Sequence, residues 1–273
     1  MTQVDAAREP ELEYAMRTDA GRKREVNEDS ALAAFPCFLV ADGMGGHEAG
    51  DLASRAAIAE FERLIRPGVR STVPEVGAAL EAARASVDAV AAGRERGAGC
   101  TLSGVVLVED DGELLWLVLN VGDSRVYVHR GAELQQVTVD HSLQNEAIAE
   151  GEQGDALPGR NIITRALGAV DSTADTWMLP VETGSRLLIC SDGLTTEVAD
   201  EEIRATLTMG GRPEAVVDEL VNRANRSGGR DNITVVVVDT ASGGTAWHMA
   251  SEGSGAELDD DTVTATVPRR RRA

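Results

Sequence analysis

The chain has 273 residues, with 26 Lys and Arg against 46 Asp and Glu, a formal net charge of −20 and three cysteines. That balance opposes nucleic acid or an anionic membrane as the main partner. Cys37, Cys100 and Cys190 form no CxxC pair and read as buried free thiols in a reducing cytosol.

Residues 1–13 are polar and read as a flexible N-terminus, with no basic and apolar stretch that would mark a signal peptide. Residues 31–40 read as one strand. A helix is expected from His47 to about Ile65, where Leu52, Ala56, Ile58, Ala59, Phe61 and Leu64 recur at helical steps before Pro67-Gly68. A second helix runs from Pro74 to Ala92. Strands follow at Leu102–Val108, Leu114–Val121 and Arg125–His129, separated by Asp111-Gly112 and Gly122-Asp123 turns. The runs Leu114–Leu119 and Val235–Val238 lack polar alternation, so both faces of each strand are expected to be covered. Together with the helices they suggest sheets stacked between helical layers. Late helices are expected at Glu201–Leu207 and Glu214–Arg223. Residues 241–273 turn to Ser, Gly, Thr and Ala and then to charge runs, and read as a disordered tail behind one domain at 14–240. No apolar run approaches the ~18 residues a bilayer span needs, and the expected location is cytoplasmic.

Acidic signatures sit on several of these apolar runs. Phe38-Leu39-Val40-Ala41-Asp42-Gly43 and Leu187-Leu188-Ile189-Cys190-Ser191-Asp192-Gly193 each put a carboxylate at the C-terminal end of a strand. Asp231-Asn232-Ile233-Thr234 puts one at the N-terminal end of another. If that third strand runs antiparallel to the other two, the three Asp meet at one edge of the sheet. Crowded carboxylates repel one another unless a cation holds them, and all-oxygen ligation suits Mg(II) or Mn(II).

Companion stretches extend the pattern: Arg24 to Asp29, Ala41 to His47, Gly99-Cys100-Thr101, Val121 to Arg125, Asp140-His141-Ser142, Ile163 to Gly168, Ser191 to Leu194 and Gly228 to Thr234. In this order they resemble the metal-dependent protein phosphatase family (PPM, type 2C) in its bacterial form, from about Tyr14 to Asp239. The resemblance implies an α+β fold, an αββα four-layer sandwich of two mostly antiparallel sheets flanked by helices, with metals at one end. It implies two tightly bound Mn2+ or Mg2+ ions and a third, weaker one. Asp42 would bridge the tight pair, Asp192 and Asp231 would complete one shell, and Gly43 would offer its carbonyl to the other. Glu28 and Asp29 would act through metal-bound waters, and Asp123 with Asp192 would hold the third ion. Residues 143–162 match a flap beside the active site that looks short here.

Hydrolysis of a phosphate monoester needs its dianion neutralised and a nucleophile available near neutral pH. Two metals about 3.5–4 Å apart can supply both, by binding the oxyanion and lowering the pKa of a bridging water. Arg24 matches the family's phosphate-binding arginine, whose planar fork suits a tetrahedral oxyanion. Met44 stands where some members carry a histidine general acid. His47, three residues on, is a candidate for substrate or leaving-group contact, and His141 another, more as a structural hydrogen-bond former. No Gly-x-Ser-x-Gly elbow or Cys-x5-Arg loop competes, so the nucleophile is expected to be water.

The function implied is a protein serine/threonine phosphatase acting on phosphorylated proteins made by a bacterial Ser/Thr kinase. A catalytically dead scaffold is disfavoured by intact Arg24, Asp42, Asp192 and Asp231, and a two-metal nuclease by the acidic charge. In the tail, Asp259-Asp260-Asp261 followed by Thr262, Thr264 and Thr266 offers phosphorylation sites for a phosphothreonine reader, beside the Arg269–Arg272 run.

Overall fold

Val235–Val238 show how the layers arise. In the computed structural model, which describes residues 9–45, 49–94, 97–154, 157–159, 162–246 and 269–271, Val236 and Val238 enter one apolar core while Val235 and Val237 enter another. Successive side chains of a strand point to opposite faces, so a strand with no polar alternation must be covered twice.

The chain opens with β1 (Glu11–Asp19), the hairpin β2 (Ser30–Ala34) and β3 (Cys37–Ala41), and the short β4 (Gly43–Met44). Helices α1 (Ala49–Leu64) and α2 (Val73–Ala91) follow. Next come β5 (Gly99–Cys100), β6 (Leu102–Asp110), β7 (Glu113–Val121), β8 (Arg125–Arg130) and β9 (Glu133–Gln136). Helix α3 (Leu143–Ala149) precedes β10 (Asp175–Pro180), β11 (Glu182–Thr183) and β12 (Arg186–Cys190). Helices α4 (Asp192–Thr195), α5 (Asp200–Met209) and α6 (Pro213–Ser227) lead to β13 (Ile233–Ser242), β14 (Thr245–Ala246) and β15 (Arg269–Arg271).

One sheet has the order β1-β13-β12-β8-β9 and the other β15-β10-β7-β6-β3-β2. Neighbours in both are antiparallel. Phe38, Val40, Trp116 and Val118 of the second sheet meet Val128, Leu187, Ile189 and Val236 of the first in the core between them. Ala53, Ala57 and Phe61 of α1 and Ala79, Ala83 and Val87 of α2 share a core with the six-stranded sheet. Ile203 and Leu207 of α5 and Val217 and Leu220 of α6 share one with the five-stranded sheet. The four layers are the expected αββα sandwich. Each fully buried Val, Leu or Phe contributes about 1.5–3 kcal/mol, so these three cores, rather than surface ion pairs, hold the sheets in place.

Local chemistry sets the boundaries. Helix α2 is entered through a capping box, with Glu75 N–H donating to Thr72 Oγ1 and Thr72 N–H to Glu75 Oε2 at 2.9 Å. The expected single strand at 31–40 is a hairpin, because Pro36 cannot donate to a ladder and sits in the Phe35-Pro36 turn, across a cis peptide bond. The Gly122-Asp123 turn is not a hairpin either: it carries the chain from β7 in one sheet to β8 in the other.

Both ends of the domain differ from expectation. Strand β1 starts at Glu11 and pairs with β13, which runs on to Ser242; β14 pairs in parallel with β11, and β15 adds to β10. Residues 1–8 and 247–268, the latter holding Thr262, Thr264 and Thr266, lie outside the described residues. Among the described residues no helix is long and apolar enough to cross a membrane.

Candidate active site

The acidic signatures converge, but from two sheets rather than at the edge of one. Asp192 follows β12 and Asp231 precedes its antiparallel partner β13, so the five-stranded sheet brings these two to the same end. Asp42 arrives at that end from β3 and Asp123 from the β7–β8 crossing, both leaving the six-stranded sheet. A cavity of about 560 Å3 is lined by Glu28, Asp42, Asp123, Asp192 and Asp231, together with Arg24, Gly43, Val26, Met44 and Ile163. Gly43 admits no side chain, since a Cβ there would stand 2.3 Å from the Gly50 carbonyl oxygen and 2.5 Å from that of Glu28. His47 lies outside the described residues, and Asp29 sits behind the cavity rather than on it.

The electrostatics are those of charge without compensation. Burial pushes the Asp42 carboxyl well above the usual carboxylate range, and Asp29, Asp192, Asp123 and Asp231 push it the same way. Burial also raises Asp192, with Asp231 adding to the effect, while a hydrogen bond from Asp42 opposes it. Burial, and then the charge of Asp192, raises Asp123 to about 7, and its Oδ1 is buried without a hydrogen-bond partner. Among the described residues no three His, Cys, Asp or Glu side chains are already drawn together as a metal cage. Yet these acids face one cavity and feel one another, and Arg24 is the basic residue that lines it with them. All-oxygen donors, a buried oxygen without a partner and mutual repulsion are what a hard divalent cation would satisfy.

Arg24 holds Asp231, with Nη2 donating to Oδ2 at 2.8 Å across a pair whose side chains are 50 % and 35 % exposed. So exposed a pair is worth about 1 kcal/mol or less.

Several residues around the cavity hold this end in shape, and of them the sequence singled out only Asp29 and His141. Asn232 accepts the Glu28 N–H at 2.8 Å and donates to the Ala20 and Val26 carbonyls at 3.1 and 3.0 Å, clamping the β1–β2 connection that carries Arg24 and Glu28. Ser191 Oγ and Thr234 Oγ1 donate to Asp29 Oδ2 at 2.9 and 2.6 Å. Burial nonetheless raises Asp29 to about 7, with the charges of Asp192 and Asp231 adding to it, and its Oδ1 is buried without a partner. The Asp42 N–H donates to Thr101 Oγ1 at 2.9 Å, the Thr101 N–H returns a bond to the Asp42 carbonyl at 2.8 Å, and Thr101 Oγ1 meets Ser124 Oγ at 2.8 Å. His141 is 5 % exposed and accepts the Gly122 N–H on Nδ1 at 3.1 Å, with Nε2 3.3 Å from Asp175. It braces the Asp123 turn and does not line the cavity. The three cysteines are buried and free, with burial pushing each thiol up, Cys190 to about 12.

A four-layer sandwich with an acid-lined cavity at one end and an arginine at its rim defines a class, and comparison with known proteins gives the family. The profile of protein phosphatase 2C matches residues 18–235. The chain belongs to that family. It is 38 % identical over 268 residues to the serine/threonine protein phosphatase PstP of Mycobacterium tuberculosis, covering 93 % of this chain and 50 % of PstP. The chain thus spans about half the length of that relative. It is 36 % identical over 247 residues to the serine/threonine phosphatase stp of Listeria monocytogenes, covering 82 % and 94 % of the two chains. In structure it is similar to the PstP catalytic domain in complex with two manganese ions, with a TM-score of 0.72 and 34 % identity over 84 % of this chain and 97 % of that one.

Proposed function

We propose that the protein is a metal-dependent protein serine/threonine phosphatase, which hydrolyses phosphoserine and phosphothreonine monoesters on phosphorylated proteins. The observation that carries the reading is the convergence of Asp42, Asp123, Asp192 and Asp231 on one cavity with Arg24 at its rim. Membership of the protein phosphatase 2C family supports it.

Asp42, Asp192 and Asp231, with the Gly43 carbonyl, are the residues that would hold two Mn2+ or Mg2+ ions. Glu28 would contribute from the cavity wall through water. Asp123, whose Oδ1 is buried without a partner, would hold a third and weaker ion together with Asp192. When bound, such ions supply an activated water and neutralise the phosphate dianion. The side chains do the rest. Burial and the neighbouring acids push the Asp42 carboxyl up, so its deprotonation would accompany the binding of a divalent cation. Arg24 releases Asp231 and presents its fork to the phosphate oxygens, fixing the orientation of the ester. Val26, Met44 and Ile163 form an apolar part of the same wall, against which the carbon side of the phosphoresidue rests. Asp29 is a supporting acid, held by Ser191 and Thr234 behind the cavity.

The test is turnover of a phosphothreonine peptide and of p-nitrophenyl phosphate by the purified protein, with and without Mn2+, beside a nuclease assay. Mn2+-dependent release of phosphate that is lost in Asp192→Asn, without nuclease activity, is the expected result. Phosphate release that does not depend on metal, or cleavage of nucleic acid alone, would overturn the reading.

A further inference from the structure

Glu197 follows α4 and looks in sequence like one more surface acid, yet its side chain is 2 % exposed. Its Oε1 accepts the backbone N–H of Arg230 at 2.9 Å and Arg230 Nε at 2.8 Å, and its Oε2 accepts Nη2 at 3.2 Å. Arg230 itself is 64 % exposed. The chain wraps the carboxylate so closely that a Cβ at Gly228 would stand 2.9 Å from Oε2. Glu197 ends the short segment that begins at Asp192, and Arg230 directly precedes Asp231. One buried carboxylate therefore ties together the two segments that carry two acids of the cavity.

The loop needs such a tie. Gly228 and Gly229 have φ of 157° and 54°, a stretch of backbone with wide conformational freedom when nothing holds it. Asp192 and Asp231 repel each other across the cavity. A bond to the Arg230 N–H fixes the backbone while leaving the Asp231 carboxylate available.

We propose that Glu197 is a positioning residue: by holding the Arg230 backbone N–H it sets the placement of Asp231 against Asp192, and so how tightly the two hold a divalent cation. The inference rests on the proposed reading of these acids as metal ligands. The backbone bond carries the effect, because it is charge-assisted and holds the chain itself, whereas the pairing with the exposed guanidinium is weak.

That distinction gives the test. Metal-free protein is titrated with Mn2+, free Mn2+ is read by its electron paramagnetic resonance signal, and exchange of the Arg230 amide hydrogen is followed in parallel. Glu197→Ala should raise the Kd for Mn2+ about 10-fold, as loss of a supporting hydrogen bond does at metal sites, and should speed Arg230 amide exchange. Glu197→Gln, which keeps an oxygen acceptor, should recover most of the affinity. Arg230→Ala, which keeps the backbone N–H, should bind within about 2-fold of the unsubstituted protein. Unchanged Mn2+ affinity in Glu197→Ala, or an equal loss in Arg230→Ala, would overturn the assignment. An unsubstituted protein that binds no Mn2+ would overturn the metal centre itself, a failure visible before any variant is compared.

Discussion

The β12–β13 ladder buries acids at both ends and treats them differently. At one end Arg186 and Asp239 face each other in register, with Nε to Oδ1 and Nη2 to Oδ2 both at 2.6 Å. The same guanidinium donates to the Gly211 carbonyl at 2.7 Å, and the two side chains are 11 % and 21 % exposed. The acid has its own cation, and the cation has further acceptors. At the other end Asp192 and Asp231 stand with Asp42 and Asp123 around one cavity, and the half-exposed Arg24 cannot balance them. Burying charge is tolerated where the protein supplies the counter-charge. Where it does not, burial and like charge push the carboxyls up, as at Asp42 and Asp123, and a cation from outside would relieve them. The closed end stabilises the fold; the open end costs stability and is the proposed seat of the chemistry.

Substitutions at the two ends should therefore separate activity from stability. Asp192→Asn or Asp231→Asn should lower Mn2+-dependent phosphatase turnover at least about a thousand-fold, since each would remove a proposed direct ligand. The same changes should leave the metal-free protein as stable as before, or more so. Asp239→Ala should do the reverse, leaving Arg186 without its partner at a cost of about 2–3 kcal/mol in urea unfolding while turnover per folded molecule stays unchanged. An Asp192→Asn protein with ordinary turnover would remove the contrast, as would an Asp239→Ala protein as stable as its parent.

The open end should also reveal itself through pH. Asp29 and Asp123 titrate near 7 in the folded, metal-free protein against an ordinary value of 3.8. Between those values the folded state binds more protons than the unfolded one, so stability falls as pH rises, by at most about 1.4 kcal/mol per pH unit for each group. Below the ordinary value the effect vanishes, and above about 7 the penalty is complete. Asp29→Asn keeps an acceptor for Ser191 and Thr234 and removes the charge. It should flatten part of the slope between pH 4 and 7 and raise stability at pH 8. Urea midpoints at four pH values check this, and a slope unchanged by the substitution would show that Asp29 is ionised throughout.

How much of this was legible in the sequence follows from what each residue does. Asp42, Asp192 and Asp231 could be read because each adjoins an apolar run and a local turn, and local patterns are written contiguously. The two unalternated runs at 114–119 and 235–238 announced their double burial for the same reason. That the acids come from two sheets could not be read, since sheet membership depends on pairings between distant segments. Asn232, Ser191, Thr234, Thr101 and Glu197 act through bonds to residues far along the chain, such as Thr234 to Asp29 and Glu197 to Arg230. A polar residue buried beside an acid looks in sequence like any other polar residue. The Phe35-Pro36 turn was missed although its signal was present, because the apolar run on both sides outweighed one proline.

Arg24 offers a smaller effect that sharpens the comparison. Its bond to Asp231 is exposed and weak, so Arg24→Ala should not loosen Mn2+ binding, and relieving the competition for Asp231 should tighten it slightly. If Arg24 orients the phosphate as proposed, the KM for a phosphothreonine peptide should rise about 10-fold in its absence. Arg24→Lys should recover only part of it, since a point charge lacks the two-pronged geometry. Loss of Mn2+ affinity in Arg24→Ala would instead make Arg24 a structural partner of Asp231.

The smallest effect is expected from Thr101, which touches no cavity acid by its carboxylate. Its hydroxyl accepts the Asp42 N–H and meets Ser124, so it joins the end of β3 to the turn that carries Asp123. Thr101→Val keeps the shape and leaves a buried N–H without an acceptor, a loss of about 1–3 kcal/mol. Turnover should fall only a few-fold, because the Thr101 N–H still holds the Asp42 carbonyl and the carboxylate can reach the cavity. Thr101→Ser restores the acceptor and should restore turnover with it. The informative measurement is the ratio of the two variants at limiting Mn2+: a link between the strand end and the turn predicts that Val is impaired most when metal is scarce and Ser is not. If both variants lose turnover equally at every metal concentration, Thr101 fills space beside Gly122 and links nothing.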